Sequence, residues 1–390
     1  MWPDRRLLDL FEIEHPILLA PMAGAVDFEL AAAVAQAGAL GSLPCAMLNA
    51  DQAREQINKF RTRSQAKINL NFFCHTPPEL NNAREMRWRD RLAPYYRELG
   101  IDPAAPVPTS ARSPFDETFC AIVEEMRPGV VSFHFGLPEA ALFKRVKAAG
   151  CVTLASATTV AEARRLEAQG VDAIVAQGYE AGGHRGMFLS DDLTTQIGTF
   201  ALVPQVVDAV KLPVIAAGGI TDARGIIAAF ALGAAGVQVG TAFLFSPESK
   251  ISAPYRAALG MTRDDGTAVT NLMTGRPARG IMNRVMREIG PMNEIAPEFP
   301  LAAGALAPLR ARAEAQGSGD FTSMWAGQAA SLGRVMPAAE LVRTLAAETQ
   351  ERLRRLGEGA TRCDGRPIAV IPSCIRPRAS RSPAGWRRPP

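Results

Sequence analysis

The sequence predicts a TIM (β/α)8 barrel with a C-terminal helical extension and a disordered basic tail. Between residues 17 and 240, short apolar runs end in glycine or proline and are followed by alanine-rich stretches with helical periodicity. Strands that alternate with helices form parallel sheets covered on both faces. Eight such units in about 240 residues match a closed barrel, whereas an open doubly wound sheet usually has fewer strands. We therefore favour the barrel over the open sheet.

The individual elements follow from these runs and from their stop signals. Glycines 38, 150, 170 and 233 come directly after helical stretches, and Thr221 or Asp222 can cap the last helix. The predicted strands are 17–20, 40–43, 68–73, 130–135, 152–155, 173–177, 214–217 and 237–240. The predicted helices are 29–37, 53–63, 79–98 with a second piece at 117–126, 139–148, 159–169, 200–210 and 222–232.

The stretch 225–245 carries no charge and is long enough to span a bilayer. Its four glycines divide it into a short helix and a short strand, as in a buried αβ unit of a parallel sheet. We therefore favour core over membrane span.

The pattern changes after Thr241, which places the barrel in residues 1–245 and an extension in residues 246–360. Helical stretches at 255–259, 283–288, 301–315, 323–332 and 338–356 indicate a helical extension that packs across the barrel mouth as a lid. Residues 361–390 are rich in arginine and proline, so we expect a disordered tail rather than a binding segment for an acidic partner.

Composition narrows the class of protein. Residues 362–390 hold seven arginines and one aspartate, which leaves 36 basic and 38 acidic residues elsewhere and gives little reason to expect nucleic acid as a partner. The six cysteines form no Cys-x-x-Cys pair and no zinc-type cluster, which indicates free thiols in a reducing compartment. The N-terminus lacks the pattern of a secretory signal. We expect a cytoplasmic protein with small-molecule partners and no metal.

Residues 177–186, Gln-Gly-Tyr-Glu-Ala-Gly-Gly-His-Arg-Gly, set a histidine in a glycine-rich loop after a strand. Gly182 and Gly183 permit close approach of a ligand, and His184 has an unperturbed pKa near neutrality. The segment is typical of a catalytic loop, although a tight turn with a hydrogen-bonded histidine has the same composition. Glu180 and Arg185 either tune the histidine or form a surface ion pair.

Glycines also follow strands 7 and 8 of the predicted barrel, where barrels commonly bind phosphate. Gly218 and Gly219 end strand 7, and Gln238, Val239, Gly240 and Thr241 end strand 8. Their joint placement favours a phosphate cradle over two ordinary turns. A Rossmann fingerprint and a P-loop are both missing from the sequence.

Amide, hydroxyl and backbone groups, rather than charges, occupy the rest of the same rim. The residues are Pro21 and Met22 after strand 1, Asn69 and Asn71 in strand 3, His134 in strand 4, Ser156 after strand 5 and Gln177 in strand 6. Strand alternation puts Asn69 and Asn71 on one face, although one of them can be a structural amide. Such a rim suits a neutral heterocycle whose phosphate lies at strands 7 and 8, and FMN has that shape.

Six motifs in order resemble the nitronate monooxygenases, formerly called 2-nitropropane dioxygenases, over residues 10–350. The motifs are Ala20–Gly24, Asn69–Asn71, Phe133–Gly136, Gln177–Gly186, Ala217–Ile220 and Gln238–Thr241, and Ser323–Gln328 is similar to the family's C-terminal motif. The resemblance implies an FMN-bound barrel that oxidises alkyl nitronates with O2 to a carbonyl compound and nitrite. It also implies that His184 is the catalytic base, and that Asn71, Gln177, Gly182, Gly219 and residues 238–241 contact FMN.

Other assignments stay open at this stage. We expect His134 to be a second polar group facing the substrate, and Trp325 and Gln328 either close over the site or belong to the core. An NAD(P)H-dependent flavin reductase of the quinone or enoyl-acyl-carrier-protein type shares the histidine loop, and a non-catalytic flavin-binding barrel is a third alternative.

Overall fold

The computed structural model describes residues 2–108 and 112–362. The chain divides at residue 350 into one compact unit, Met1–Gln350, and a second, Glu351–Pro390. The predicted disordered tail lies, from residue 363 onward, outside the described residues.

The larger unit contains the predicted barrel. Its strands are β1 (Ile17–Leu19), β2 (Gly41–Pro44), β3 (Ile68–Phe73), β4 (Gly129–His134), β5 (Val152–Ala157), β6 (Ala173–Gln177), β8 (Val214–Ala217) and β9 (Gly236–Val239), whereas β7 (Gly183–His184) belongs to a second sheet. The eight barrel strands pair in parallel in the order β1-β9-β8-β6-β5-β4-β3-β2, and an isolated bridge between Leu18 and Leu40 joins β1 to the start of β2 and closes the ring. The prediction of a closed eight-stranded barrel is confirmed.

Helices cover the outside of the ring, and most begin at a residue that caps them. The capping side chain accepts a hydrogen bond from a backbone N–H of the first helical turn. The residues that cap helices in this way include Asp27, Asn49, Asp116, Thr159 and, at the last barrel helix, Asp222. These helices are α1 (Arg6–Phe11), α2 (Phe28–Gln36), α3 (Ala50–Arg61), α4 (Asn82–Glu98), α5 (Glu117–Met126), α6 (Ala140–Ala148), α7 (Val160–Ala168), α8 (Thr199–Ala209) and α9 (Ala223–Ala231).

The lower interior of the barrel is filled with apolar side chains. Leu18, Leu40, Val130 and others from successive strands are fully buried together, and Leu7 and Phe11 of α1 belong to the same cluster. Because this cluster fills the interior, we expect ligand space at the carboxyl ends of the strands, as in other barrels.

The extension differs from the prediction in two places. It contains an antiparallel hairpin, β10 (Thr267–Thr270) and β11 (Ala278–Ile281), to which the two-residue strand β7 (Gly183–His184) is added. The predicted helix 323–332 is wrong: only a 3-10 turn forms, Ala330–Leu332, because Trp325 pairs with Gly280 as a β-bridge. The helices are α10 (Thr241–Leu244), α11 (Ala253–Met261), α12 (Arg284–Ile289), α13 (Ala302–Ala315) and α14 (Ala338–Arg362).

The extension has a second apolar core. Leu306 and Leu309 of α13 pack with Trp88 and Leu92 of α4. The uncharged stretch 225–245 divides into α9, β9 and α10. Among the described residues, no helix combines the length and hydropathy needed to cross a membrane.

Candidate functional site

A cavity of about 400 Å³ opens at the carboxyl ends of the barrel strands. Its wall combines strand ends and loops of the barrel with residues of the extension such as Tyr255, Arg310 and Trp325. The volume lies within the usual range of small-molecule sites. The cavity is therefore large enough for a ligand that spans the barrel mouth.

Most of the site residues predicted from sequence line this one cavity. They include both histidines, His134 and His184, and eleven of the twelve predicted cofactor contacts: Pro21, Met22, Asn71, Gln177, Gly182, Gly183, Gly218, Gly219, Gln238, Gly240 and Thr241.

Val239 is the exception. Its side chain is fully buried in the layer between strands and helices, and its carbonyl accepts the backbone N–H of Ala20. Successive side chains of a strand point to opposite faces, so Gln238 and Val239 cannot both face the barrel interior.

The main chain of His184 is fixed from two sides. As part of β7 it pairs with β11, opposite Ala278. Its carbonyl oxygen accepts hydrogen bonds from Gln177 Nε2 at 2.9 Å and from His134 Nε2 at 3.2 Å. The histidine is thus part of a small sheet rather than of a free loop.

The ring of His184 is held through one nitrogen. Nε2 lies 2.9 Å from Thr274 Oγ1, while Nδ1 has no hydrogen-bond partner among the described residues. Burial lowers the pKa of His184 well below 6.5, and the positive charge of Arg112 lowers it further. The imidazole is therefore neutral at neutral pH, with one nitrogen free to interact with a ligand.

His134 is engaged at both ring nitrogens. A carbonyl oxygen can only accept, so the contact with His184 O assigns the proton to Nε2, and Nδ1 accepts from the Ser156 hydroxyl at 3.1 Å. Burial lowers the pKa of His134 to about 3. His134 lines the cavity as predicted, but its hydrogen bonds support the backbone of His184.

The two predicted amides behave differently from each other. Gln177 spans the histidine segment, since its Nε2 donates to His184 O and its Oε1 accepts from Gly186 N at 2.7 Å. Asn71 donates through Nδ2 to Ser132 Oγ at 2.9 Å, so its Oδ1 is not used by that bond. Asn69 lies deeper, is fully buried and donates to Ser42 Oγ, so it is the structural amide of the pair.

The glycines after β8 form a concave main-chain surface. Gly218 and Gly219 have φ values of 108° and 72°, which L-residues with side chains rarely adopt. A Cβ on Gly218 would lie 2.9 Å from Ala181 N. The described chain offers no acceptor to the N–H groups of Gly219 and Ile220, so these donors can bind an anion.

The segment 326–328 closes over the glycines of the histidine loop. Gly327 N donates to Thr241 Oγ1 at 2.9 Å, and Gln328 N donates to Glu180 O at 3.0 Å. A Cβ on Gly182 would lie only 2.6 Å from Gly327 N. The contact between this segment and the histidine loop is made by backbone atoms.

An aromatic wall that sequence reasoning missed surrounds the His184 ring. Ring centroids of Phe299, Trp325, Phe73 and Phe135 lie 5.2, 5.4, 5.9 and 6.0 Å from that of His184. These residues come from four separate parts of the chain, and no spacing in the sequence relates them. They make the surroundings of the base apolar, which explains the direction of its pKa shift.

Arg185 and Glu180 do not pair with each other. Arg185 is fully buried and donates to the carbonyl oxygens of Gln177 and Gly178, and the Glu180 carboxylate accepts from Thr199 N and Oγ1. Both side chains fix the loop, so of the two interpretations that the sequence left open, the surface ion pair is the one that does not form.

Fold and site together define a barrel enzyme that holds a neutral histidine beside a large, mostly uncharged ligand cavity. The nitronate monooxygenase family model matches residues 4–348. The nitronate monooxygenases of Paraburkholderia phytofirmans and Pseudomonas aeruginosa are each 44% identical to this chain, covering 91% and 88% of it and 98% of each relative. The chain belongs to the nitronate monooxygenase family and is an oxidoreductase.

Solved structures agree with this placement. The nitroalkane oxidase of Streptomyces ansochromogenes is 38% identical, with a TM-score of 0.82 over 90% of this chain and 99% of its own. FabK from Thermotoga maritima is 31% identical, with a TM-score of 0.69 over 90% of this chain and 97% of its own.

Proposed function

We propose that this chain binds FMN and oxidises alkyl nitronates, and nitroalkanes, with O2 to a carbonyl compound and nitrite. The observation that carries the proposal is His184, a neutral imidazole in the cavity wall with its Nδ1 unengaged by the described protein. The relatives named for nitronates and nitroalkanes support the substrate class.

The residues of the cavity fit FMN on their own chemistry. The N–H groups of Gly219 and Ile220, which have no acceptor among the described residues, suit a phosphate, and Gly240 and Thr241 line the same cavity. The amides of Asn71 and Gln177 and the small residues around Gly182 suit the edges and face of a flat, uncharged ring system. A cavity of about 400 Å³ accommodates such a group.

Bound FMN would supply the acceptor for the electrons of the substrate and pass them to O2. The chain's own residues handle the proton and the charge. A nitroalkane carries an acidic proton α to the nitro group, and His184 Nδ1, unprotonated at neutral pH, is placed to remove it. The resulting imidazolium then stabilises the anionic nitronate beside it.

Gln177 and His134 act through the backbone of His184. Their hydrogen bonds to its carbonyl oxygen fix the distance of the imidazole from the ligand. We therefore propose that His134 contributes to catalysis by positioning His184.

The test compares two substrates in one variant. His184→Asn is expected to retain FMN, to lose at least 100-fold in turnover of a neutral nitroalkane and to lose much less with the pre-ionised nitronate, because only the first needs a base (general bases contribute about 10²–10⁴). His15→Asn, which changes a histidine beside Trp2 and outside the cavity lining, is the matched control. Unchanged nitroalkane turnover in His184→Asn would remove the base from the proposal.

The second candidate is an NAD(P)H-dependent flavin reductase on the same barrel. The enoyl reductase domain of MlnA shares the fold, with a TM-score of 0.60 at 12% identity. Mixing the flavin-loaded protein with NADH under anaerobic conditions separates the candidates. Rapid bleaching by NADH supports the reductase, bleaching only by a nitronate supports the oxidase, and bleaching by neither supports a non-catalytic flavin-binding barrel.

A further inference from the structure

The hairpin β10–β11 reaches the site at three points, all of them at or beside His184. Ala278 of β11 pairs with His184, the carbonyl of Pro277 accepts the N–H of Arg185, and Thr274 Oγ1 contacts the His184 ring. The barrel supplies the other supports, Gln177 and His134, and both of these reach only the carbonyl oxygen. The ring itself is oriented by a hydrogen bond to the extension alone.

We propose that Thr274 is the positioning residue of His184: its hydroxyl accepts the Nε2–H of the imidazole and so presents Nδ1 to the substrate. The inference rests on the proposed function, in which His184 is the base. It assigns a role in the site to the hairpin of the extension.

The geometry limits the alternatives for this contact. Thr274 is fully enclosed, with 1% of its surface exposed, and Nε2 lies 2.9 Å from its oxygen. The Thr274 side chain has no other hydrogen bond in the described chain. In the proposed arrangement its oxygen accepts the Nε2–H, because this is the tautomer that leaves Nδ1 unprotonated, as a base requires. With Nε2 engaged on the protein side, Nδ1 is the nitrogen left for the ligand.

The same contact serves the imidazole after it takes a proton. An imidazolium carries N–H at both nitrogens, and each needs an acceptor in an apolar site. The aromatic rings around His184 offer none, whereas Thr274 Oγ1 accepts from Nε2 before and after proton transfer. The hydroxyl therefore stabilises the charged product of the step as well as the orientation of the ring.

The test uses Thr274→Val, Thr274→Ser and the matched control Thr270→Val. Valine keeps the shape of threonine and removes the oxygen, and serine restores the oxygen. Thr270 is a fully buried threonine of the same hairpin whose oxygen accepts from Leu272 N, away from His184. Thr270→Val therefore removes an equally buried hydroxyl without touching the imidazole.

We expect Thr274→Val to bind FMN as the wild type does and to lose about tenfold in kcat for a neutral nitroalkane, the upper range for one hydrogen bond. Turnover of the pre-ionised nitronate should change less than about twofold, because it needs no base. Thr274→Ser should recover most of the loss, and Thr270→Val should not lose nitroalkane kcat selectively. Equal loss on both substrates, or the same selective loss in Thr270→Val, would overturn the proposal.

A spectroscopic measurement tests the contact without relying on turnover. The chain has four histidines, so ¹⁵N-histidine spectra can be assigned through His184→Asn. We expect His184 in the wild type and in Thr274→Ser to carry its proton on Nε2, and Thr274→Val to lose this preference. A wild-type His184 protonated on Nδ1 would overturn the proposal, even if neither nitronates nor nitroalkanes proved to be substrates. Conversely, absence of turnover with the expected spectra would contradict the proposed function alone.

Discussion

Gly182 lies where the barrel and the extension approach each other closely at the site. Its φ is not positive, so alanine causes no backbone strain there, but the added Cβ would lie 2.6 Å from Gly327 N and 2.7 Å from the Ala326 carbonyl carbon. Both neighbours are backbone atoms, which cannot rotate away. Ordinary contact begins at 3.4 Å, so the segment 326–328 must retreat by about 0.8 Å.

The loss of unfolding free energy comes from the hydrogen bonds that this displacement of residues 326–328 breaks. Two backbone hydrogen bonds hold the segment, from Gly327 N to Thr241 and from Gln328 N to Glu180. Overpacking costs about 1–3 kcal/mol and each of the two hydrogen bonds about 0.5–1.5 kcal/mol, so we expect Gly182→Ala to lose about 2–6 kcal/mol of unfolding free energy. The displaced loop should also weaken FMN binding by at least about tenfold.

The assays are urea unfolding and flavin titration, with two comparison variants. At Gly183 the φ is 74° and no atom lies within 4 Å of an added Cβ, so Gly183→Ala introduces backbone strain without a steric clash. This strain should lower the unfolding free energy by about 1–2 kcal/mol. Gly260→Ala, in α11 and with open space around it, should gain up to about 1 kcal/mol. An unfolding free energy of Gly182→Ala within 0.5 kcal/mol of wild type would refute the reasoning.

Three further predictions follow. Since the pKa of His184 is lowered, kcat/KM for a neutral nitroalkane should stay level as pH falls from 8 and decline only below 6.5; a midpoint above 6.5 would contradict the assignment. Burial lowers the pKa of His75 to about 4, so between pH 7 and pH 5 the unfolded chain binds a proton at His75 that the folded chain does not, and the unfolding free energy falls. His75→Gln should make this fall in unfolding free energy smaller by about 2 kcal/mol, measured by urea unfolding at both pH values. A fall equal to that of the wild type would contradict the prediction. Val239→Ala should lower the thermal stability, because it leaves a cavity in the core, and should leave the affinity for FMN unchanged. A tenfold loss of FMN affinity would indicate that the Val239 side chain belongs to the binding site.

The barrel was predictable because each unit has a local signature. Apolar runs such as Val214–Ala217 end in glycine, and the helices after them begin at capping residues such as Asp222. The cavity wall was predictable where it consists of strand ends, since the carboxyl ends of parallel strands meet at one rim. The Val239 side chain does not line the cavity, because its neighbour in sequence, Gln238, takes the inward face.

The hairpin and what it contributes were not predictable in the same way. Thr267–Thr270 and Ala278–Ile281 are four-residue strands of mixed polarity, too short for a clear alternation. Thr274 meets His184 across 90 positions of sequence, and Phe299 reaches the ring from still farther. Arg185 gives no sign in the sequence that its charge is buried, because its acceptors are backbone carbonyls.

The central claim is that the cavity holds a flavin that a nitronate reduces while His184 serves as base. Anaerobic stopped-flow absorbance of the FMN-loaded protein, mixed in turn with a nitronate, its parent nitroalkane and NADH, tests it most directly. We expect rapid bleaching of the flavin by the nitronate, bleaching by the nitroalkane that His184→Asn abolishes, and no rapid bleaching by NADH. Rapid bleaching by NADH with none by the nitronate would contradict it.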